Sequence, residues 1–359
     1  MKIPAVLATA LLLLPAAPAA AAGKHHLSML GADVSTLPRA LDLGARFSDV
    51  RGHRADPYEI LQRAGVNYVR LRLWNNPASG YNNKALVVRQ AREAKRHGLK
   101  VLIDFHYSDT WADPGKQYTP ASWAGHDLAQ LRKDVYDYTF DVCSAIKPDS
   151  VQIGNEINTG MLWPVGQVVN SDFGPLATLL KAGYDATKAC SPRTQVMIHT
   201  ANAGSLGAAR WFYDGIAAQG VRWDITALSY YCMWHGDLTN LKTVLTDVQQ
   251  RYGKPAVIAE TAYPYTTENY DHLENIITSA APCDGIAATP RGQATEFAQV
   301  QDAAREAGAL GVFYWEPTWT AIDGNGWDTE DISHSGNAWE NMATFDDNGR
   351  INPYVKWRR

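Results

Sequence analysis

The stretch Ser150-Val151-Gln152-Ile153-Gly154-Asn155-Glu156-Ile157 decides the fold. It opens as a short apolar run and breaks at Gly154 into Asn155 and Glu156. A parallel strand buried on both faces reads this way, and an α/β barrel places its chemistry at the C-terminal ends of such strands. A charged Glu at that position is costly to bury unless it is paired or used. The bland alternative is a Glu that caps the next helix. The rest of the chain has to choose between the two.

Working outward, short apolar runs alternate with longer segments of helical period, the pattern of a parallel sheet. Strands are expected at residues 27–32, 68–73, 100–105, 150–153, 195–198, 225–231, 256–259 and 310–315. Helices are expected from Asp56-Pro57, and over 84–97, 128–146, 173–189, 208–219, 238–252 and 293–307. Asp56 followed by Pro57 is a cap residue with proline at the first helical position, and Gly98 stops the helix before it. A weak closing helix is expected in the Gly- and Asn-rich remainder after Pro317. Eight such units predict an α/β fold, a single (β/α)8 TIM barrel. A doubly wound open sheet is the alternative, but no Gly-rich nucleotide fingerprint follows the first strand.

The chain has 359 residues, which suits one large barrel. Residues 1–22 read as a signal peptide: Lys2, an apolar run from Ala5 to Leu14, then Ala20-Ala21-Ala22 as a cleavage site. That run is too short for a membrane anchor. The expected organisation is therefore residues 1–22 as leader and 23–359 as one catalytic barrel domain, secreted and acting as a monomer. A formal net charge of −4 and the lack of a basic block speak against nucleic acid. The four cysteines show no zinc spacing. Cys143 and Cys190 fall late in predicted helices, at the barrel floor. Cys232 and Cys283 fall after strands, at the top. The favoured pairing is Cys143–Cys190 with Cys232–Cys283, the alternative being free core thiols.

In a barrel the residues just after each strand converge on one face. Here they are Arg72, His106, Asn155 with Glu156, His199, Tyr231, Glu260, and Trp315 with Glu316. Each alone has an ordinary structural reading; the set together reads as a site. Glu156 and Glu260 end strands four and seven, ends that can face each other across the mouth at about 5–5.5 Å, the spacing of a retaining glycosidase pair. One carboxyl must start protonated, its pKa raised by apolar cover or a neighbouring carboxylate, and the other must stay ionised. Arg72 is expected to hold Glu260 ionised by charge, and Tyr231 by a hydrogen bond. Asn155 is expected to donate to a sugar 2-hydroxyl and Trp315 to floor the central subsite. Glu316 competes as a third carboxylate, while Asp104, inside strand three, is expected to pair within the barrel. Twelve Trp and 17 Tyr leave ample rings for stacking on sugars.

Glutamates after strands four and seven, with Asn-Glu at the fourth, resemble clan A glycoside hydrolases. Longer words resemble glycoside hydrolase family 53, the endo-β-1,4-galactanases: His106-Tyr107-Ser108-Asp109-Thr110-Trp111-Ala112-Asp113-Pro114, Gly154-Asn155-Glu156-Ile157 followed by Leu162-Trp163-Pro164, Ser229-Tyr230-Tyr231, Glu260-Thr261, Tyr314-Trp315-Glu316-Pro317 and Gly336-Asn337-Ala338-Trp339-Glu340-Asn341. The match spans essentially the whole chain after the leader. It implies an endo-acting enzyme on the β-1,4-galactan of pectic arabinogalactan, with Glu156 as proton donor and Glu260 as nucleophile. It also makes Trp111, Asp113, Trp163 and Trp315 candidates for the sugar cleft, beside Arg72, His106, Asn155, His199 and Tyr231. The alternatives are another clan A endo-glycosidase, of mannanase or cellulase type, and a barrel that binds sugar without cutting it.

The sequence departs from the family at one place. Bacterial members can carry calcium in the loop after strand seven, held by alternating Asp, His and Asn. Here Glu268-Asn269-Tyr270-Asp271-His272-Leu273-Glu274-Asn275 breaks that alternation at Leu273, and calcium prefers six or more oxygens. The expectation is no metal and no cofactor, with a disulfide at Cys283 tying the loop instead.

Overall fold

The strand-forming runs do pair side by side. The computed structural model describes residues 25–358; the expected leader, residues 1–22, lies outside them. Eight parallel strands close into a barrel in chain order. They are β1 Met29–Asp33, β2 Tyr68–Leu73, β3 Lys100–Phe105, β4 Ser150–Ile153, β5 Gln195–Thr200, β6 Ile225–Ser229, β7 Ala256–Thr261 and β8 Gly311–Tyr314. Their burial explains their composition. Helices cover the outside and side chains fill the inside, so nearly every strand residue is buried.

The helices are α1 Leu37–Asp42, α2 Pro57–Arg63, α3 Lys84–Arg96, α4 Leu128–Ile146, α5 Gly174–Cys190, α6 Leu206–Ala218, α7 Cys232–His235, α8 Leu238–Tyr252 and α9 Pro290–Glu306. Their starts are written in the sequence. Asp56 accepts from the Tyr58 amide with Pro57 at the first position of α2. Asp127 and Gln130 form a reciprocal capping box at α4. The outer core lies between helices and strands. A smaller cluster inside the barrel joins Tyr68, Leu102, Met197, Ala227, Val257, Ala259 and Phe313.

Three features differ from the sequence reading. The short helices α1 and α7 were not expected. Strand β6 ends at Ser229 rather than Tyr231, because Tyr231 turns the chain into α7 as its first cap. No α-helix follows β8 among the described residues, only a 3-10 turn at Glu340–Met342. The segment after Pro317 lacks an apolar helical period, and it buries Trp319 and Trp339 in loop form instead. Both expected disulfides are present. Cys143–Cys190 ties the ends of α4 and α5, and Cys232–Cys283 ties α7 to the loop after β7.

Candidate active site

Two backbone irregularities aim the carboxylates. After β4 the chain turns through Gly154 at φ 85° and Glu156 at φ 46°. A side chain at Gly154 would meet Ile157 Cγ2 at 2.5 Å, so glycine is required there. A glutamate held at positive φ is strained, and such strain persists where the surroundings fix it, often at functional sites. At β7 the ladder skips a residue on both sides. Leu228 pairs with Ile258 but Ser229 with Glu260, and Ile258 pairs with Val312 but Thr261 with Tyr314. Side chains alternate in a regular strand, so Ala259, which packs inside the barrel, would send Glu260 outward. The extra residue of this bulge turns Glu260 inward as well.

The two glutamates then meet. A carboxylate oxygen of Glu156 lies within 4.8 Å of one of Glu260. Both line a cavity of about 490 Å³ at the C-terminal mouth of the barrel. Asn155, Tyr231, Trp111, Asp113, Trp315, Arg72 and His106, all expected from the sequence, line it too.

Arg70 is the residue that sequence reasoning missed. Its guanidinium, 1% exposed, lies 2.8 Å from Glu260, 2.9 Å from Asp104 and 2.7 Å from Asp33. It also donates to Asn155 Oδ1 at 2.7 Å. The expected cation, Arg72, instead pairs with Glu316 at 3.0 Å. Both arginines lie on the inward face of β2, two residues apart. Strand side chains lean along the strand, so the long Arg70 stem brings its charge up to Glu260 and Arg72 overshoots it. Tyr231 is as expected: its hydroxyl donates to Glu260 at 3.0 Å.

The environments separate the two acids. Glu156 is pushed up, by burial first and then by the charge of Glu260. Glu260 is pushed up by burial as well, but Arg70 and the Tyr231 hydroxyl pull it back toward ionisation. Glu156 therefore holds the proton that Glu260 loses first. Asp104 pairs within the barrel as expected. It accepts from Gln152 at 2.5 Å and bonds His106 Nε2 at 3.0 Å, while Arg70 helps hold it below its ordinary value against burial. His106 Nδ1 accepts from Trp74 and from the Ala112 amide. Both its nitrogens are thus committed to protein partners.

Two residues expected to contact sugar, His199 and Trp163, are not part of the cavity lining. His199 is fully buried, its ring nitrogens 3.0 Å from Asn155 Oδ1 and 2.9 Å from Ser229 Oγ, so it braces Asn155. Trp163 is outside the cavity wall; its amide donates to Gln117 O. Glu316 is also off the wall, fully buried against Arg72 and Thr36. Conversely Lys116, Trp234, His235, Ile276, Trp327 and Trp339 line the cavity. Trp234 and His235 lie in the one-turn helix α7 and the others in long loops, segments that carry no period to place them.

Metal chemistry finds poor footing. Among the described residues two groups have metal-ligand spacing: Asp56, Glu93 and His97 at the surface, and Glu156, His199 and Glu260, where both His199 nitrogens face protein partners. In the loop after β7, Asp271 accepts from the amides of Leu273 and Asn337. Asn275 Oδ1 and Glu340 Oε2 are buried without partners. Calcium takes six or more oxygens, from side chains, backbone carbonyls and water, and these two side-chain oxygens alone do not supply that set.

A closed parallel barrel with two buried carboxyls facing each other in an aromatic cavity is the arrangement of a glycoside hydrolase. The sequence comparison is specific: the model of glycosyl hydrolase family 53 matches residues 29–357, and the chain belongs to that family. An arabinogalactan endo-β-1,4-galactanase of Cellvibrio japonicus is 35% identical over 332 residues, 88% of this chain and 86% of that one. An endo-β-1,4-galactanase of Bacillus subtilis is 33% identical over 366 residues, 91% and 84% of the two chains. The solved family 53 catalytic domain of Ignisphaera aggregans superposes with a TM-score of 0.87 at 36% identity, covering 93% of this chain and 95% of that one. The chain is a glycoside hydrolase.

Proposed function

We propose that this chain is a retaining endo-β-1,4-galactanase that cuts the β-1,4-galactan of pectic arabinogalactan, with Glu156 as acid/base and Glu260 as nucleophile. The observation that carries the mechanism is the approach of the two carboxylates to within 4.8 Å. That gap suits direct attack and is too small for the water that an inverting pair accommodates at about 6.5–9.5 Å. The galactan substrate is supported by the relatives' activities.

In the first step a Glu260 oxygen attacks the anomeric carbon. The bond to the leaving oxygen breaks as Glu156 gives that oxygen its proton. In the second step water attacks the same carbon, Glu156 takes a proton from the water, and Glu260 departs. Arg70 and Tyr231 keep Glu260 ionised between turnovers. Asn155 spends one amide hydrogen on the Ala112 carbonyl, leaving the other for the sugar 2-hydroxyl. Trp111, Trp315, Trp327 and Trp339 supply apolar faces for the pyranose rings.

We also infer export, with residues 1–22 as leader and the rest as one catalytic domain. Two disulfides support an oxidising compartment. Among the described residues no helix is long and apolar enough to cross a membrane. Purified protein should release short galactose oligomers from linear β-1,4-galactan, and not from mannan or cellulose. Glu156→Ala and Glu260→Ala should each remove nearly all of that release with the fold intact. Near-normal turnover in either variant would overturn the assignment.

A further inference from the structure

Glu316 is the buried carboxylate that the mechanism leaves unused. It sits just after β8 at φ 52°, fully buried. One oxygen accepts from Arg72 at 3.0 Å, and the other from the Thr36 hydroxyl at 2.6 Å. The Arg72 guanidinium carbon lies 4.1 Å from the Trp111 ring centroid and 4.9 Å from that of Trp74. Trp111 in turn stacks on Trp327 at 5.4 Å, donates its indole N–H to the Trp327 carbonyl at 3.0 Å, and lines the cavity. One chain of contacts thus runs from a buried anion, through a buried cation, to an aromatic wall of the cleft.

We propose that Glu316 and Arg72 are a positioning pair that fixes the tilt of Trp111, and thereby set saccharide affinity in the cleft without taking part in proton transfer or nucleophilic attack. The proposal rests on the glycosidase reading of the same cavity. Glu316 faces Thr36 and Arg72 and does not line the cavity, so it has no route to a glycosidic oxygen. Arg72 is suited to the task because a planar guanidinium can stack on a ring while bonding a carboxylate in its own plane. An ammonium in its place would keep the ion pair and lose the stacking. The pair also explains why two arginines on one strand face are not redundant: Arg70 serves the nucleophile and Arg72 the sugar wall.

The test compares Arg72→Lys, Glu316→Gln, Trp111→Ala and the Arg72→Lys/Trp111→Ala double variant on β-1,4-galactotetraose, with a thermal melt of each. A desolvated cation–π contact of this kind corresponds to about tenfold in KM, with a smaller fall in kcat. Arg72→Lys and Glu316→Gln should show that split. The double variant should bind no worse than Trp111→Ala alone, since both changes act through one ring. An unchanged KM, a loss confined to kcat, or additive losses in the double variant would overturn the proposal. A merely structural role would lower the melting temperature and the active fraction without moving KM. Failure of the galactanase reading would show in the wild-type chain, as no release from galactan. The same variants are then compared by calorimetry on whichever β-1,4-linked oligosaccharide of galactose, glucose or mannose the wild type binds.

Discussion

Arg70 is the side chain on which the chemistry of this cavity most depends. Three buried carboxylates, Asp33, Asp104 and Glu260, lie within 3 Å of one guanidinium. Replacing it with Met would strand those charges, at a cost of about 3–5 kcal/mol in stability. Arg70→Lys keeps a charge but loses the fork. Glu260 then becomes harder to ionise, so the acidic limb of the kcat/KM profile should move up by about one pH unit; a profile that stays in place contradicts the role. The opposite sign holds for Glu156, whose carboxyl is pushed up partly by the charge of Glu260. In Glu260→Gln the Glu156 carboxyl should titrate at lower pH than in the wild type, as read by NMR of labelled glutamate. The glutamates themselves were legible in the sequence, because strand counting puts both at the barrel mouth. The arginine was not, because sequence gives the face of a side chain but not how far its stem reaches. The burial of His199 behind the cavity lining was not legible either: a strand end does not say which residues are in the wall and which support it.

Helix α9 carries another buried acid, one without a hydrogen-bond partner. Glu296 is 3% exposed and neither oxygen has a hydrogen bond. Burial pushes its carboxyl up to about 8 from the usual 4.5. The native state therefore holds a proton that the unfolded chain gives up. This raised group costs nothing below pH 4.5, and stability falls as pH rises from there through 8. Glu296→Gln should raise stability, and with it the melting temperature, little at pH 4 and clearly at pH 8, by roughly 1.4 kcal/mol per pH unit crossed. Equal gains at both values would contradict the assignment. The loops have a counterpart in Cys232–Cys283, which joins α7, bearing Trp234 and His235, to the loop bearing Ile276. Replacing both cysteines with serine should cost about 2–5 kcal/mol in stability and raise KM for galactan; an unaltered KM would mean that the bond does not shape the cleft. Elements of regular period were placed by sequence to within three residues. The β7 bulge was not, because an apolar run looks the same with or without an extra residue, yet that residue turns Glu260 into the barrel.

Taken as a molecule, the chain uses the regular barrel to set distances and its irregular loops to set affinity. The eight strands were readable because burial on both faces demands unbroken apolar runs, and the expected disulfides followed from which end of the barrel each cysteine occupies. The aromatic wall was only half readable. Trp315 adjoins a strand end and Trp111 falls in a sequence word that resembles the family, whereas Trp234 and Trp327 sit in loop or one-turn segments whose course the sequence does not dictate. The central claim is that Glu156 and Glu260 are close enough for double displacement. Proton NMR during early hydrolysis of β-1,4-galactan, before mutarotation, tests it most directly. The β-anomer should appear first at the new reducing end. First appearance of the α-anomer would mean inversion, and would contradict Glu260 as nucleophile.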